Sequence, residues 1–146
     1  MRVLVQRSLS SRVSVDDKVI GSIPKGFVLL VGFSKEDTIS DIEYCVQKIK
    51  KLRIFNDKNN QMNLSIDDIE GQILSISQFT LYGDATKGNR PSFIEAMSYE
   101  EAKKMYEVFN QKLKEKGLKV ETGEFGTDMK VEITNDGPVT IWIESR

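Results

Sequence analysis

The run Phe27–Phe33 is the most apolar stretch of the sequence and constrains the fold more than any other segment. Every residue in it is apolar or glycine, so it lacks the alternation of a strand with one face in water. At seven residues, it is far too short to cross a bilayer. The run therefore predicts a central strand that is buried on both faces.

Several flanking segments have the alternating pattern of strands. Residues 2–8 form one such segment. Arg12–Asp16 and Lys18–Ile23 form two more, and the Asp16-Asp17 pair between them predicts a tight turn and a hairpin. Gly71–Leu81 is the second strong strand candidate, with apolar residues over most of its length.

Two segments have the apolar spacing of amphipathic helices. The first begins near Thr38 and Ser40, which Asp41 and Glu43 follow three residues later, as in capping boxes. Its predicted buried stripe consists of Ile39, Ile42, Val46, Ile49 and Leu52. The second begins at Ser98 and ends near Gly117, and its predicted buried stripe consists of Ala102, Met105, Tyr106, Phe109 and Leu113.

The order of these elements indicates the fold class. Leu118–Thr122, Met129–Thr134 and Val139–Glu144 add three short strands, so strands outnumber helices by roughly eight to two. We predict an α+β fold in which two main helices flank a curved, mostly antiparallel sheet or open barrel. A length of 146 residues predicts one domain over residues 1–146.

Composition excludes several kinds of chemistry. The chain has no histidine, which removes Ser-His-Asp and Cys-His catalysis as well as His-ligated zinc. Neither a cysteine set nor a carboxylate cluster indicates a metal site or any other cofactor site. Cys45 is the only cysteine, lies beside the predicted helix stripe, and is interpreted as a small core residue. A single cysteine and the absence of a signal peptide predict a cytoplasmic protein with no membrane segment.

Two short segments carry polar or turn residues inside apolar surroundings. Gly137-Pro138 lies between two alternating runs and, by itself, predicts a hairpin turn that presents bare backbone carbonyls. Ser77, Gln78 and Thr80 place hydrogen-bonding side chains in a strand pattern, where Gln78 and Thr80 would share one face. From the pattern alone, ordinary strand structure is the favoured explanation of these residues.

The segment Tyr82–Ser92 predicts a basic, glycine-containing loop. Lys87 and Arg90 are its cations, and such a loop can approach a phosphate closely. The net charge of −1 means that any contact with RNA must use a local patch rather than the whole surface.

Taken together, these segments resemble the D-aminoacyl-tRNA deacylase family over nearly the whole chain. Two motifs carry the resemblance most specifically: Ser77-Gln78-Phe79-Thr80-Leu81 and Asn135-Asp136-Gly137-Pro138-Val139-Thr140. Further matching segments are Met1-Arg2-Val3 with Gln6-Arg7, Leu52–Phe55, Met62–Ser65 and Lys87–Phe93.

The resemblance implies hydrolysis of the ester between a D-amino acid and the terminal adenosine of tRNA, with glycyl-tRNA as a further substrate. It also implies a homodimer with its active sites at the subunit interface and no cofactor. In this family the Gly-Pro bond is cis, and the segment from one subunit enters the partner's pocket. Gly137 and Pro138 would then reject an L-amino acid sterically with backbone carbonyls.

The resemblance also assigns the remaining site residues. Ser77, Gln78, Phe79 and Thr80 would line the ester side of the pocket, with main-chain N–H groups as an oxyanion hole. The residues expected to bind the rest of the substrate are Phe125, Met129, Val139 and Thr140, with the terminal adenine against Phe125 and Met129. Thr127 departs from the small, alanine-like residue expected there. Lys87 and Arg90 are expected to contact the tRNA acceptor end.

Two mechanisms and two other functions remain open at the level of sequence. Thr80 could be a nucleophile, although no base accompanies it. Alternatively, the ribose 2′-hydroxyl or a water assists cleavage and Thr80 only lines the pocket, which we favour. A non-catalytic dimeric module that binds RNA or a nucleotide, or an esterase with a threonine nucleophile, would be the competing functions.

Overall fold

The computed structural model describes all of residues 1–146. The strands are β1 (Arg2–Ser8), β2 (Ser11–Val15), β3 (Lys18–Ile23), β4 (Gly26–Gly32), β5 (Phe55–Asn56), β6 (Met62–Leu64), β7 (Gln72–Ser77), β8 (Lys119–Thr122), β9 (Lys130–Glu132) and β10 (Asn135–Glu144). The helices are α1 (Ile39–Lys51) and α2 (Tyr99–Glu115), and a 3₁₀ helix spans Phe79–Tyr82.

The strands form one large sheet and two small ones. The large sheet has the order β10-β1-β4-β7-β8, a three-stranded sheet has the order β3-β2-β9, and β5 pairs with β6. In the large sheet β1 is antiparallel to β10 and β4, whereas β7 is parallel to β4 and β8. The predicted α+β class is confirmed, but the large sheet is mixed and the sheets do not close into a barrel.

The predicted central strand β4 is sandwiched between two layers. On one face of the large sheet, Phe27, Leu29 and Val31 pack in a core that also contains the buried residues of both helices. On the other face, Val28 packs with residues of the three-stranded sheet in a smaller core. β4 is buried on both faces because its side chains alternate between these two cores.

Both predicted helices form where their capping residues lie. The Thr38 N–H and hydroxyl donate to the Asp41 carboxylate at 2.8 and 2.9 Å, within the predicted capping box. The predicted capping box at Ser98 is wrong, because the Ser98 hydroxyl donates to the Glu101 carboxylate and neither side chain accepts a backbone N–H at the start of the helix. Ile39 was predicted to be buried but is 44% exposed, because it is the first helical residue and precedes the core-facing turn. Neither helix has the length and apolar composition needed to span a membrane.

The predicted strand Gly71–Leu81 is wrong in its second half. β7 ends at Ser77, the Gln78 N–H makes a last bond to the Val31 carbonyl at 2.7 Å, and the chain then turns into the 3₁₀ helix. Gln78 and Thr80 therefore do not share a strand face. The polar residues lie where the neighbouring strand β4 also ends, so the chain has no strand left with which to pair.

The predicted hairpin around Gly137-Pro138 is also wrong. β9 pairs with β2 in the small sheet, whereas β10 pairs with β1 in the large one, so the two runs are not hairpin partners. Gly137 and Pro138 lie inside β10, opposite a shift in register between Gln6 and Ser8 of β1. The segment is therefore a bulge in an edge strand.

Candidate active site

A cavity of about 570 Å³ lies where β4 and β7 end. Its walls come from four segments: the end of β4, the end of β7 with the residues that follow, the start of α2, and the loop before β9. The lining residues are Val31, Gly32, Phe33, Ile76, Ser77, Gln78, Phe79, Met97, Tyr99, Ala102, Phe125, Gly126, Thr127, Asp128, Met129 and Val131. The cavity thus brings together predicted site residues that are some 50 positions apart in sequence.

Thr80 lies next to the cavity but does not line it. Ser77, Gln78 and Phe79 are lining residues, whereas Thr80 is exposed on the first turn of the 3₁₀ helix. The N–H groups of Phe79 and Thr80 open this helix and have no partner within it. Two N–H groups without a backbone acceptor therefore belong to a cavity-lining residue, Phe79, and to the residue after it.

The surroundings of the Thr80 hydroxyl are unsuited to activating it. Its Oγ1 accepts a hydrogen bond from the Gln78 side-chain amide. An amide N–H is a donor and cannot remove a proton, so Gln78 is not a general base. This geometry favours a role for Thr80 in holding Gln78 at the pocket wall.

Aromatic residues hold the opposite wall in place. The Phe125 ring lies 5.2 Å from the Tyr99 ring and 5.7 Å from the Tyr106 ring, measured between centroids. The Tyr106 hydroxyl donates to the Ser75 carbonyl at 2.7 Å, and burial raises the pKa of Tyr106, so it remains a donor. The wall is therefore tied to β7, the strand that carries Ser77.

The loop before β9 forms part of this wall, and three of its residues make close contacts. Gly126 has φ +77° and a Cβ there would lie 2.3 Å from the Tyr99 hydroxyl, so Tyr99 packs directly on its backbone. A Cβ at Gly123 would lie 2.5 Å from the Met129 sulfur. Thr127, the departure noted above, donates its hydroxyl to the Glu124 carbonyl at 2.9 Å. Its additional polar group is therefore used within the loop.

Gly137 and Pro138 are exposed and lie outside this cavity. The peptide bond between them is cis, as the resemblance predicts. Arg7 supports the segment from beneath: its Nε donates to the Asp136 carbonyl at 3.1 Å, and its Nη1 to the Ile54 carbonyl at 2.8 Å. Arg7 itself is only 7% exposed, so the support is embedded in the fold.

Asn135 braces the same segment from the side. Its Oδ1 accepts the Val139 N–H at 3.0 Å, and its Nδ2 donates to the Thr140 hydroxyl at 3.1 Å. Val139 is half-buried against the main core and Thr140 is exposed on β10. Within this chain, Val139 and Thr140 therefore shape the bulge and do not line the cavity.

The cavity and the Gly137-Pro138 bulge lie at opposite ends of the large sheet. Ser8 of β1 pairs with Asn135 on one side and Gly26 on the other, whereas Arg2 pairs with Gly32, which lines the cavity. The seven residues of β1 cover about 20 Å at roughly 3.3 Å per residue. One chain cannot bring Gly137 into its own cavity without unfolding this sheet.

Two comparisons with known proteins bear on this site. A family model described as D-Tyr-tRNA(Tyr) deacylase matches residues 4–144. The D-aminoacyl-tRNA deacylase of Clostridium botulinum (strain Alaska E43 / Type E3) is 59% identical over 145 residues, which are 99% of this chain and 97% of that relative. The chain belongs to the D-Tyr-tRNA(Tyr) deacylase family. The D-aminoacyl-tRNA deacylase of Clostridium tetani (strain Massachusetts / E88) is likewise 59% identical, covering 100% of this chain and 98% of that relative.

Two solved structures share the fold of this chain. A protein named c-Myc DNA Unwinding Element Binding Protein superposes with a TM-score of 0.94 at 40% identity, over 100% of this chain and 99% of that one. A probable eukaryotic D-amino acid tRNA deacylase has a TM-score of 0.87 at 18% identity, over 98% of each chain. The second likeness shows the fold alone.

The deacylase-family motifs did not identify every residue that shapes the site. Tyr99 and Met97 line the cavity, and Tyr106 supports Phe125, but the sequence indicated only that Tyr106 is a buried helix residue. A tyrosine at the first position of α2 has no local pattern that separates it from an ordinary surface residue. Arg7 was part of the resemblance, yet its role under Asp136 is visible only in the structure.

The predicted basic loop adjoins the cavity through its far end. Lys87 and Arg90 are exposed and make no ion pair, in a loop closed by bridge pairing between Asp84 and Ser92. Phe93, just beyond this loop, packs edge-on against Phe79, with ring centroids 5.1 Å apart. The loop thus begins and ends beside the wall that carries Phe79.

Proposed function

We propose that this chain hydrolyses the ester of D-aminoacyl-tRNA and releases the free D-amino acid and tRNA. One observation carries the proposal: in a member of this family, the Ser77–Phe79 segment and the Phe125–Met129 wall face each other across one apolar cavity. Such a cavity can hold the terminal adenosine, and its polar rim can orient the ester. The close relatives carry the same activity in their names.

The proposed chemistry does not use a protein nucleophile. Water attacks the ester carbonyl carbon, and the N–H groups of Phe79 and Thr80 stabilise the oxyanion that forms. The bond to the ribose 3′-oxygen then breaks, and that oxygen takes up a proton. The Thr80 hydroxyl is hydrogen-bonded to the Gln78 amide, which cannot act as a base and activate it. We therefore assign the orientation of the attacking water to the neighbouring ribose 2′-hydroxyl.

Selection of the D-enantiomer is proposed to come from a second copy of the chain. Gly137 and Pro138 of one subunit would enter the other subunit's cavity, where rigid carbonyls clash with an L side chain. Their exposure, their bracing by Arg7 and Asn135, and their distance from the cavity of the same chain support this arrangement. β10 is also an edge strand, whose outer side is free to meet a partner.

The other predicted residues take supporting roles in this proposal. The terminal adenine would pack against Phe125 and Met129, and Val139 and Thr140 would hold the bulge that enters the partner's cavity. Glycine has no side chain to clash with the carbonyls, so glycyl-tRNA would also be accepted. With aminoacyl-tRNA as its substrate, the enzyme would act in the cytoplasm, where tRNA is used in translation.

Ester loss from D-tyrosyl-tRNA and L-tyrosyl-tRNA tests the proposed function. At catalytic enzyme amounts we expect rapid loss of the D-ester and little loss of the L-ester. A protein that only binds nucleic acid, as the name of the c-Myc DNA Unwinding Element Binding Protein describes for that relative, would cleave neither. Equal cleavage of both esters would contradict the chiral filter while leaving the esterase activity.

The Thr80→Ala variant separates the two mechanisms. A nucleophile's removal abolishes turnover, whereas loss of a residue that holds Gln78 leaves a measurable rate. We expect a reduced rate that retains full D-selectivity. Complete loss of activity in a folded variant would instead support Thr80 as the nucleophile.

Lys87 and Arg90 are proposed to contact the acceptor end of the tRNA. Their exposure, lack of ion pairs and position beside Phe79 support this role. The variant Lys87→Gln/Arg90→Gln should weaken tRNA binding and make its salt dependence shallower. An unchanged affinity for tRNA would show that this loop does not contact the acceptor end.

A further inference from the structure

A second basic surface lies on α1, remote from the loop that holds Lys87 and Arg90. A groove of about 500 Å³ is lined by Tyr44, Gln47, Lys48, Lys51, Leu52 and Arg53, which we call the α1 groove. It holds three cations and no carboxylate. By contrast, the cavity of the candidate active site and two further surface cavities each contain at least one Asp or Glu. The groove is thus a local positive site on a chain whose net charge is −1.

The three cations are not neutralised within the fold. Lys48, Lys51 and Arg53 are exposed and form no ion pair, whereas nearby Lys50 pairs with Asp67 at 2.6 Å. Glu43, on the same helix, already pairs with Lys112 of α2. Asp68 makes no ion pair, but the N–H and hydroxyl of Ser65 and, less strongly, the Arg53 guanidinium lower the pKa of its carboxyl. The charge of Arg53 is therefore partly offset by a nearby carboxylate, without a direct contact.

The groove also has a fixed guanidinium and an exposed aromatic ring. Arg53 donates through Nε to the Asn63 carbonyl and through Nη2 to the Asn63 side chain, which leaves Nη1 free. Tyr44 is 44% exposed, and the Lys48 ammonium lies 5.5 Å from the centre of its ring. Cations beside an aromatic face suit a nucleic-acid strand, whose phosphates pair with the cations while a base or ribose packs on the ring.

The position of the groove connects it to the bulge. Arg53 directly precedes Ile54, whose carbonyl accepts a hydrogen bond from Arg7 at 2.8 Å. The Arg7 guanidinium also donates to the carbonyl of Asp136, the residue before Gly137. The groove and the bulge are therefore neighbours at the end of the sheet opposite the cavity of the same chain. In the proposed dimer, the subunit that supplies the bulge would therefore also bring its α1 groove towards the partner's cavity.

We infer that the α1 groove binds the phosphate backbone of the tRNA whose 3′ end occupies the partner's cavity. The inference rests on the proposed function for its substrate and its dimer. It assigns a role to Lys48, Lys51 and Arg53 that is distinct from catalysis. Each subunit would then supply both the chiral filter and a backbone contact to the other subunit's substrate.

Binding of uncharged tRNA, measured against salt concentration, tests the inference without requiring catalysis. The test variant is Lys48→Gln/Lys51→Gln/Arg53→Gln. The matched control, Lys25→Gln/Lys114→Gln/Lys119→Gln, removes the same charge from exposed, unpaired lysines. Lys119 belongs to β8, at the edge of the sheet opposite β10.

We expect the groove variant to lower tRNA affinity more than the control variant does. The slope of log affinity against log salt should become shallower by about two to three, at roughly 0.7 to 0.9 per phosphate contact. Equal slopes in the groove and control variants would overturn the inference. Equal loss of affinity for a DNA duplex of similar length would also overturn it, since the groove would then attract any polyanion.

Hydrolysis assays distinguish failure of this inference from failure of the proposed function. The groove variant should cleave D-tyrosyl-tRNA more slowly than the control but cleave the D-tyrosyl ester of adenosine at the wild-type rate. Loss of both activities would show that the substitutions damage the cavity and would contradict a backbone role. A wild-type chain that cleaves neither ester contradicts the proposed function, while the binding experiment still decides the role of the groove.

Discussion

Arg7 is the residue that connects the Gly137-Pro138 bulge to the rest of the chain. Its guanidinium is nearly buried and donates to the carbonyls of Asp136 and Ile54, while its Nε lies 3.3 Å from the Asp136 carboxylate. The charge is tolerated there because two backbone carbonyls and the Asp136 carboxylate face it. The result is a bulge whose carbonyl positions are determined by the core rather than by a mobile loop.

Gly137→Ala should damage activity through this contact. At φ +121° a Cβ would lie 2.8 Å from the Val139 side chain and 2.9 Å from Arg7 Nη2, so the bulge or the guanidinium must move. We expect kcat/KM for D-tyrosyl-tRNA to fall by about 10- to 100-fold, or roughly 1.4–2.7 kcal/mol.

Gly117→Ala is the matched control for that change. Gly117 also has positive φ, +87°, but nothing lies within 4 Å of a Cβ there. Its substitution should lower thermal stability and leave kcat/KM unchanged. Equal losses of activity in the two variants would show that backbone strain, and not the contact with Arg7, explains the effect of Gly137→Ala.

The Cys45 thiol should be unreactive in the folded protein. It is fully buried in the main core, and burial raises the pKa of its thiol to about 12. Because the thiolate is the reactive form, we expect almost no reaction with a thiol reagent at pH 8 until the chain unfolds. Reaction rates in buffer and in urea measure this difference. Rapid labelling of the native protein would contradict the core assignment.

At the scale of elements, α1 shows how a capping residue can also link distant parts of the chain. Asp41 receives the N–H and hydroxyl of Thr38, and Arg146 donates to it at 2.7 and 3.0 Å. The Arg146 guanidinium, followed by the Thr38 hydrogen bonds, holds the pKa of the Asp41 carboxyl well below its usual range, against the opposing effect of burial. The helix start is therefore joined to the segment that follows β10.

Asp41→Asn should destabilise the chain in a pH-dependent way. A depressed pKa in the folded state stabilises the fold above the unfolded pKa of about 3.9, and this contribution declines as the pH falls below that value. We expect a loss of about 1–3 kcal/mol in unfolding free energy at pH 7. Urea denaturation from pH 7 down to pH 2 should show the two proteins converging in acid.

Glu43→Gln provides the comparison on the same helix. Glu43 is exposed and pairs only with Lys112, so its loss should cost less than about 1 kcal/mol. A loss for Asp41→Asn that is equally small, or independent of pH, would contradict the role of its carboxylate in the cap.

At the scale of the whole molecule, the two halves of the candidate site lie at opposite ends of one sheet. The register of β1 with β4 and β10 places the cavity near Arg2 and the bulge near Ser8. The arrangement requires a partner copy if both halves act on one substrate. Mixed dimers can test that requirement directly.

We expect two impaired variants to complement each other in a purified mixed dimer. Thr127→Trp fills the cavity of its own chain, and Gly137→Ala damages the bulge that its chain supplies. In a mixed dimer, the intact cavity of one chain meets the intact bulge of the other, so D-selective activity should return to about half of the wild-type rate, because one of two sites is complete. Activity that stays at the level of the parent variants would show that the bulge does not act across subunits.

Local patterns in the sequence determined much of this protein. The apolar run Phe27–Phe33, the Asp16-Asp17 turn, the cap at Thr38 and the core position of Cys45 are all confirmed. Each depends on residues a few positions apart, where hydrogen bonding and alternation act directly. The two motifs were also sufficient to indicate the family.

Only the tertiary structure decided which segments meet. β9 and β10 look like hairpin partners in sequence but join different sheets, and β7 ends at Ser77 because the neighbouring ladder ends there. Tyr99 meets Phe125, and Arg7 meets Asp136, across more than twenty residues of chain. Such pairings follow from which arrangement buries the most apolar surface with its polar groups satisfied, a property of the whole chain rather than of any segment.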